Sequence, residues 1–345
     1  MNIRSLASSP TLCRFENRVK RSDLEALILL QVDLYLQRNK NRFSTEKNLI
    51  ISIDLDPTDV ETHGQQQFAF YNGHYEHTAY LPMIIVDGDN QDLIAVIPRP
   101  GNRHATWLLR LILMRILNRI TKDYPTVQFQ IRADSGFQSE PFFSFLERHS
   151  SIKTATIAIS TNKTLEKLTR LAVQEYKELD DTREDKTIEL IHYGECGYRA
   201  ESWSHFRRII YQIQKTHYGT TEVRYYMTLD HELSPEVLKK SYNRRAEAEN
   251  RIKEFKTQVF GSRVSGESFL VNAFRMMLSG FCLIIFQELR KKLKNTILES
   301  ACVQTIREKL IKVSAVITLS TRRVLLSLPS FYPYQRIWEH FCYSS

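Results

Sequence analysis

Apolar residues recur along this chain in two rhythms, one helical and one extended. Leu24, Leu27, Ile28, Val32, Leu34 and Leu36 fall at helical spacing and predict an amphipathic helix over about 22–38, with Ser22 as N-cap and Glu25 three residues on. Residues 1–20 ahead of it are polar and read as loosely ordered. At 48–56 the pattern shifts to a β-branched run ending in Asp54-Leu-Asp56, followed by Pro57-Thr58. Further strand signals at 68–71 and 80–86, with His63-Gly64 and Asn72-Gly73 as turns, predict three antiparallel strands in succession.

The second half of the pattern alternates helix and strand before turning β-rich. Arg99-Pro-Gly-Asn102 is a turn that opens a helix at about 105–120, carried by Leu108, Leu109, Leu111, Ile112, Met114 and Ile116. A strand at 127–132 runs directly into Asp134-Ser-Gly136, a helix is expected at 141–147, and a fifth strand at 152–159. A charged helix at 164–181 leads into β signals at 188–193, 203–213 and 223–229. The stretch 265–294 reads as one long amphipathic helix containing Asn272 and Arg275, and 313–328 as a hairpin around Thr321-Arg322. This is an α/β pattern.

Charge narrows the partner. The 345 residues are 42% hydrophobic, enough for one elaborated domain or two. Lys and Arg total 48 against 39 Asp and Glu, a net charge of +9, so the unspecific affinity is for polyanions, and nucleic acid is the expected partner. Cys13, Cys196, Cys282, Cys302 and Cys342 are scattered without a C-x-x-C pair, a pattern of reduced thiols. The start lacks an apolar core of a signal peptide, and the most apolar stretch, 271–289, is broken by Arg275 and Gln287, so neither a leader nor a membrane span is read. The chain contains no Gly-rich phosphate loop, no G-x-S-x-G and no H-E-x-x-H. His74 and His77 have a spacing usable by a metal but no clustered third ligand, and read as surface or packing residues.

The most informative stretch is 242–256. On one continuous α-helix Tyr242, Arg245, Glu249 and Lys256 project within a wedge of roughly 60°, while Ala248, Ile252, Phe255 and Val259 form an apolar flank beside them. Two cations flanking a carboxylate suit a phosphodiester, the cations on phosphates and the carboxylate on a divalent metal. Asp54 and Asp56 share one face of the first strand, and alternation leaves both open as its site residue. Asp134 follows the end of a strand, next to a glycine that lets the backbone turn, where α/β folds place site residues.

Tyr242, Arg245, Glu249 and Lys256, at this spacing, resemble the Y-R-E-K signature of bacterial insertion-sequence transposases of the DDE class. The run from Asp56-Pro-Thr58 to Gly64 and the block Arg132-Ala-Asp134-Ser-Gly-Phe137 resemble the two aspartate blocks of the same group, and the likeness extends from about Arg14 to the C-terminus. The resemblance implies a ribonuclease H-like, integrase-like core with a mostly β insertion domain and a C-terminal helical region. In these terms the chain divides into an N-terminal segment and helix at 1–47, the first part of the core at 48–165, the insertion at 166–235, and core completion with the C-terminal region at 236–345. It favours Asp56 over Asp54, and it implies that Asp56, Asp134 and Glu249 are catalytic and bind two Mg²⁺ ions, with Mn²⁺ as substitute.

The function so implied is metal-dependent cleavage at the ends of a mobile element and strand transfer to target DNA. Arg245, Lys256 and Tyr242 would contact DNA phosphates, and Trp203 could stack on a displaced base. Double-stranded DNA, as terminal inverted repeats and target, is the implied partner, bound by a homodimer in the cytoplasm of a bacterium, at the nucleoid and with no membrane involved. Related transposases carry additional residues ahead of the block Arg14-Phe-Glu-Asn17, which here lies almost at the start. Two alternatives therefore stand beside the transposase: a shortened, catalytically impaired derivative acting as a DNA-binding regulator, and a host nuclease of the same fold.

Overall fold

The computed structural model describes residues 7–184 and 189–343; the first residues of the polar start and residue 188 of the expected 188–193 strand lie outside them. One eight-stranded sheet dominates. Its strands are β1 (Ile50–Pro57), β2 (Met83–Asp87), β3 (Leu93–Ile97), β4 (Gln128–Ala133), β5 (Ile152–Ile159), β6 (Ile191–Tyr198), β7 (Arg207–Lys215) and β8 (Thr221–Thr228), in the order β3-β2-β1-β4-β5-β8-β7-β6. β1, β4 and β5 are parallel neighbours, and β2 and β3 form an antiparallel margin. That half has the ribonuclease H-like arrangement. The β-rich section continues the same sheet, because β8 pairs antiparallel with β5.

Both faces of β1 are covered, for different purposes. Ile51, Ile53 and Leu55 pack against Leu113 and Ile116 of α2 (Leu109–Asp123) and Phe142 and Phe143 of α3 (Glu140–Arg148). Burying each of these aliphatic side chains stabilises by roughly 1.5–3 kcal/mol. On the opposite face Ile84, Val86 and Val96 meet Ala248, Phe255, Met276 and Leu283, which belong to the signature segment and to the long helix Phe269–Lys292. Ser52, Asp54 and Asp56 point to this second side, so the polar face of β1 lies beneath the signature segment.

The long helix explains its own polar residues. By length and composition it could cross a membrane, but half of that window is buried inside this protein. Gln287 accepts from Leu93 N (3.0 Å), and Gln31 of helix α1 (Arg21–Arg38) accepts from Val96 N (2.7 Å). Two buried amides thus satisfy the free edge of β3, which would otherwise offer unpaired N–H groups.

Several expectations need correction. The run at 68–71 does not join β1: Phe70–Asn72 pairs with His77–Tyr80, which pairs with Val60–Glu61 in a separate small sheet. The third strand of the margin is β3, five consecutive buried apolar residues without alternation. Helix α2 starts at Leu109 because Leu108 takes a left-handed conformation (φ +53°). Helix α1 is capped by Asp23, which accepts from Lys20 N (2.8 Å), rather than by Ser22 and Glu25. The charged helix, here α4 (Lys163–Thr182), and the hairpin of Val316–Leu319 with Val324–Ser327 form as expected.

The signature segment is not one α-helix. It comprises α5 (Pro235–Asn243), α6 (Ala246–Lys253) and a π-helical turn Glu254–Gln258. At the junction Arg245 N bonds Tyr242 O (2.9 Å) and Ala248 N bonds Arg245 O (2.9 Å), the tighter three-residue spacing. The winding tightens before Glu249 and loosens after it, so the single wedge expected for the four signature residues does not form.

Candidate active site

Parallel pairing brings the two aspartates together. Leu55 of β1 is in register with Ala133 of β4, so the next residues, Asp56 and Asp134, leave adjacent strand ends side by side. Asp134 accepts from Gly136 N (2.8 Å) and caps the short turn Ser135–Phe137. A Cβ on Gly136 would stand 3.0 Å from that carboxylate, so glycine permits the close approach. The carboxylate that caps this turn is thus the one set beside Asp56.

Above the two strand ends lies Arg245. Its Nη2 is 3.0 Å from Asp56 Oδ1 and 3.6 Å from Asp134 Oδ2. Burial pushes the Asp56 carboxyl up to about 7; Arg245 opposes this, and Asp134, Glu249 and Asp54 add to it. Glu249, one turn beyond Arg245 and exposed, is near enough for its charge to be felt at Asp56. One guanidinium faces a cluster of carboxylates and cannot neutralise all of them. Its Nε is buried without a hydrogen-bond partner. Among the described residues no three His, Cys, Asp or Glu side chains stand close enough to hold a metal ion as they are.

Asp54 is a different kind of residue. It is fully buried and takes Arg132 Nε at 2.6 Å and Nη2 at 2.8 Å, one guanidinium on both carboxylate oxygens. Arg132 also donates to Ser241 O (2.7 Å) and Gly88 O (3.3 Å), tying β1 to α5 and to the turn after β2. A Cβ on Gly88 would fall 1.9 Å from Arg132 Nη2, so only glycine leaves room for this bridge.

The remaining signature residues are placed less simply. Tyr242, expected on a phosphate, donates instead to Ala133 O (3.3 Å), the carbonyl just before Asp134, and its ring lies 4.7 Å from that of Tyr226. Lys256, on the π-helical turn, donates to Asp59 Oδ1 (2.7 Å), while Asp59 Oδ2 is 3.1 Å from His77 Nε2. Against burial, the Lys256 hydrogen bond and charge hold the Asp59 carboxyl below its ordinary value. Trp203 is 5% exposed, edge-on to Phe143 and Tyr198 with centroids 5.2 Å away, and Arg207 lies 5.3 Å over its ring. It is a core residue with no face free for a base, which corrects the stacking expectation.

Arg132 and Asp59 were not assigned roles from the sequence. Arg132 sits two residues before Asp134, and only the parallel register shows that it faces Asp54. Asp59 stands three residues after Asp56, inside the block that carries the resemblance.

The transposase model named Transposase DDE domain group 1 matches residues 2–344. No curated protein matches the chain. Among solved structures it is similar to piggyBac transposase in a synaptic complex with hairpin DNA, at 12% identity and a TM-score of 0.36 over 72% of this chain and 55% of that one. It is also similar to Marinitoga piezophila Argonaute with guide RNA and target DNA, at 11% identity and a TM-score of 0.26 over 57% of this chain and 26% of the other. The chain thus spans about half the length of the piggyBac chain. With the family match running nearly end to end over a sheet that sets two aspartates side by side, the chain belongs to the DDE transposases, domain group 1.

Proposed function

We propose that this transposase cuts DNA at the ends of a bacterial insertion sequence and joins the freed ends to target DNA, with Asp56, Asp134 and Glu249 as its catalytic carboxylates. One observation carries the reading: Asp56 and Asp134 leave adjacent parallel strands and share Arg245, while Glu249 adds charge to the same spot. A structural ion pair would be closer to balance. Here the acids outnumber the cation, and a carboxyl held near 7 by burial and like charge marks a place where further positive charge is favourable.

The donor set fits a hard divalent cation, because all three side chains are carboxylates. Asp56, Asp134 and Glu249 would hold two Mg²⁺ ions, or Mn²⁺ in their place; bound there, they supply charge neutralisation at the attacking and leaving oxygens. In the first step water attacks the phosphodiester at the element end, the P–O3′ bond breaks, and the 3′-hydroxyl is released. That hydroxyl then attacks a target phosphodiester, forming one P–O bond and breaking another. The protein's part is positioning and electrostatics. Tyr242 fixes the Ala133 peptide and so the direction of Asp134. Arg245, with an unused Nε, and Lys256 offer donors for the phosphates of the element end. A homodimer acting on two double-stranded ends, at the nucleoid of the cytoplasm, is the assembly this chemistry suits.

The test is nicking of a supercoiled plasmid that carries the element's ends, with Mg²⁺ or Mn²⁺ against EDTA. Asp56→Ala, Asp134→Ala and Glu249→Ala should each abolish nicking while remaining folded. Retained nicking in Glu249→Ala would sink the assignment. Loss in every variant except Asp56→Ala would move the role to Asp54, and duplex binding without cleavage by the unaltered protein would favour the regulator.

A further inference from the structure

Beyond Lys256 the chain makes a turn that the cleavage chemistry does not use. Phe260 has φ +63°, a conformation that a bulky residue rarely adopts, yet its ring is 39% exposed. The turn is held from below. Gly261 N bonds Phe255 O (2.8 Å), Ser262 Oγ bonds Lys256 O (2.8 Å), and a Cβ on Gly261 would lie 2.5 Å from the Phe255 ring. Strain that the surrounding packing maintains at an exposed aromatic is characteristic of functional positions.

Two arginines stack on this ring from different parts of the chain. The Arg263 guanidinium is 4.1 Å from its centroid, and that of Arg307 is 5.1 Å away. Arg307 opens a second π-helical turn, Arg307–Ile311, which docks on the first through Gln258: Gln304 N donates to its Oε1 (2.8 Å) and Arg307 Nη1 to its carbonyl (3.0 Å). Arg307 Nε is buried with no hydrogen-bond partner. Among the described residues, no carboxylate forms an ion pair with either arginine. Two like charges, one exposed on Arg263 and one half-buried on Arg307, are held against one ring without a counter-ion, although the chain pairs Arg38, Arg42, Arg132 and Arg207, buried or half-buried, with acids.

We propose that the Phe260–Arg263–Arg307 knuckle is a phosphodiester-binding site for a DNA strand that runs from the carboxylate cluster past Lys256. The ring fixes both guanidinium planes, leaving their edges to donate to phosphate oxygens. This rests on the reading that the substrate is DNA, and it extends the DNA path to a second part of the chain.

The experiment measures affinity for a fluorescent duplex across a salt series, using the full chain with EDTA so that cleavage does not interfere. Arg263→Ala/Arg307→Ala should lower the slope of log affinity against log salt by about 1.8, and Arg263→Ala alone, an exposed position that leaves the fold undisturbed, by about 0.9. Arg21→Ala/Arg170→Ala removes the same charge from exposed positions on α1 and α4 and should change the slope by much less. Equal slopes for the knuckle variants and the unaltered protein, or an equal fall in the control, would overturn the site while leaving the transposase reading in place. Absence of any duplex binding by the unaltered protein would remove both.

Discussion

Asp54 is fully buried with both oxygens on one arginine, whereas Asp56, two residues along the same face of β1, shares a single guanidinium nitrogen with Asp134. Burial pushes both carboxyls up. For Asp54 the Arg132 hydrogen bonds and charge work against that rise, and this counter-charge is dedicated. For Asp56 the counter-charge is shared, and Asp134 and Glu249 add to the rise. A dedicated pair holds two strands and a helix in place; a shared one leaves a deficit of positive charge. The residue type, the strand and the face are the same; what differs is whether the arginine is dedicated or shared and how many other carboxylates stand nearby.

The largest effect expected from this difference is on stability. Asp54→Ala strands Arg132 in the core and should cost about 3–5 kcal/mol in urea unfolding, the range for breaking a buried pair. Asp56→Ala, at the rim, should cost less than about 1 kcal/mol, because its loss relieves repulsion. Equal costs would erase the distinction between the two aspartates.

A smaller and pH-dependent effect sharpens it. A carboxyl that titrates near 7 in the fold but near 3.9 in the unfolded chain binds its proton more tightly when folded. Its penalty is therefore absent below about pH 4, grows as the pH rises, and is complete above 7. Asp56→Asn removes that penalty, so the variant should match the unaltered protein at pH 4 in EDTA and exceed it by up to about 4 kcal/mol at pH 8. A stability difference that does not change between those pH values would mean that Asp56 is not the strained carboxyl.

What the sequence made legible follows from how local each determinant is. The strands of the parallel centre are rich in β-branched residues, as at Ile152, Thr154, Thr156, Ile157 and Ile159, and those read directly. Asp56, Asp134 and Arg245 were reachable because they lie in short blocks whose spacing carries the resemblance. β3 was not read, since five consecutive buried residues show no alternation. Choosing between Asp54 and Asp56 by geometry needs the register of β1 against β4, a contact between positions 78 residues apart in the chain. The tightened junction at Arg245 and the π-helical turn escaped because constant helical spacing was assumed, and Trp203 because burial in a β-rich section depends on partners distant in sequence. Local chemistry was readable, whereas pairing between distant residues was not.

The smallest effect concerns the third acid of the β1 block, Asp59, which is also shared, between Lys256 and His77. While that carboxylate holds Lys256 Nζ, the lysine charge is largely cancelled as seen by an approaching phosphate. Lys256→Gln should therefore weaken duplex binding chiefly through the repelling charge it leaves behind on Asp59, rather than through a lost phosphate contact. Asp59→Asn should do the reverse. It frees the lysine, raises affinity several-fold at low salt, and steepens the dependence of log affinity on log salt by about 0.9, the value for one added phosphate contact. Weaker binding by Asp59→Asn would show that the carboxylate aims Lys256 at the DNA rather than neutralising it, and Asp59 would then join Asp54 among the acids that hold a cation in position.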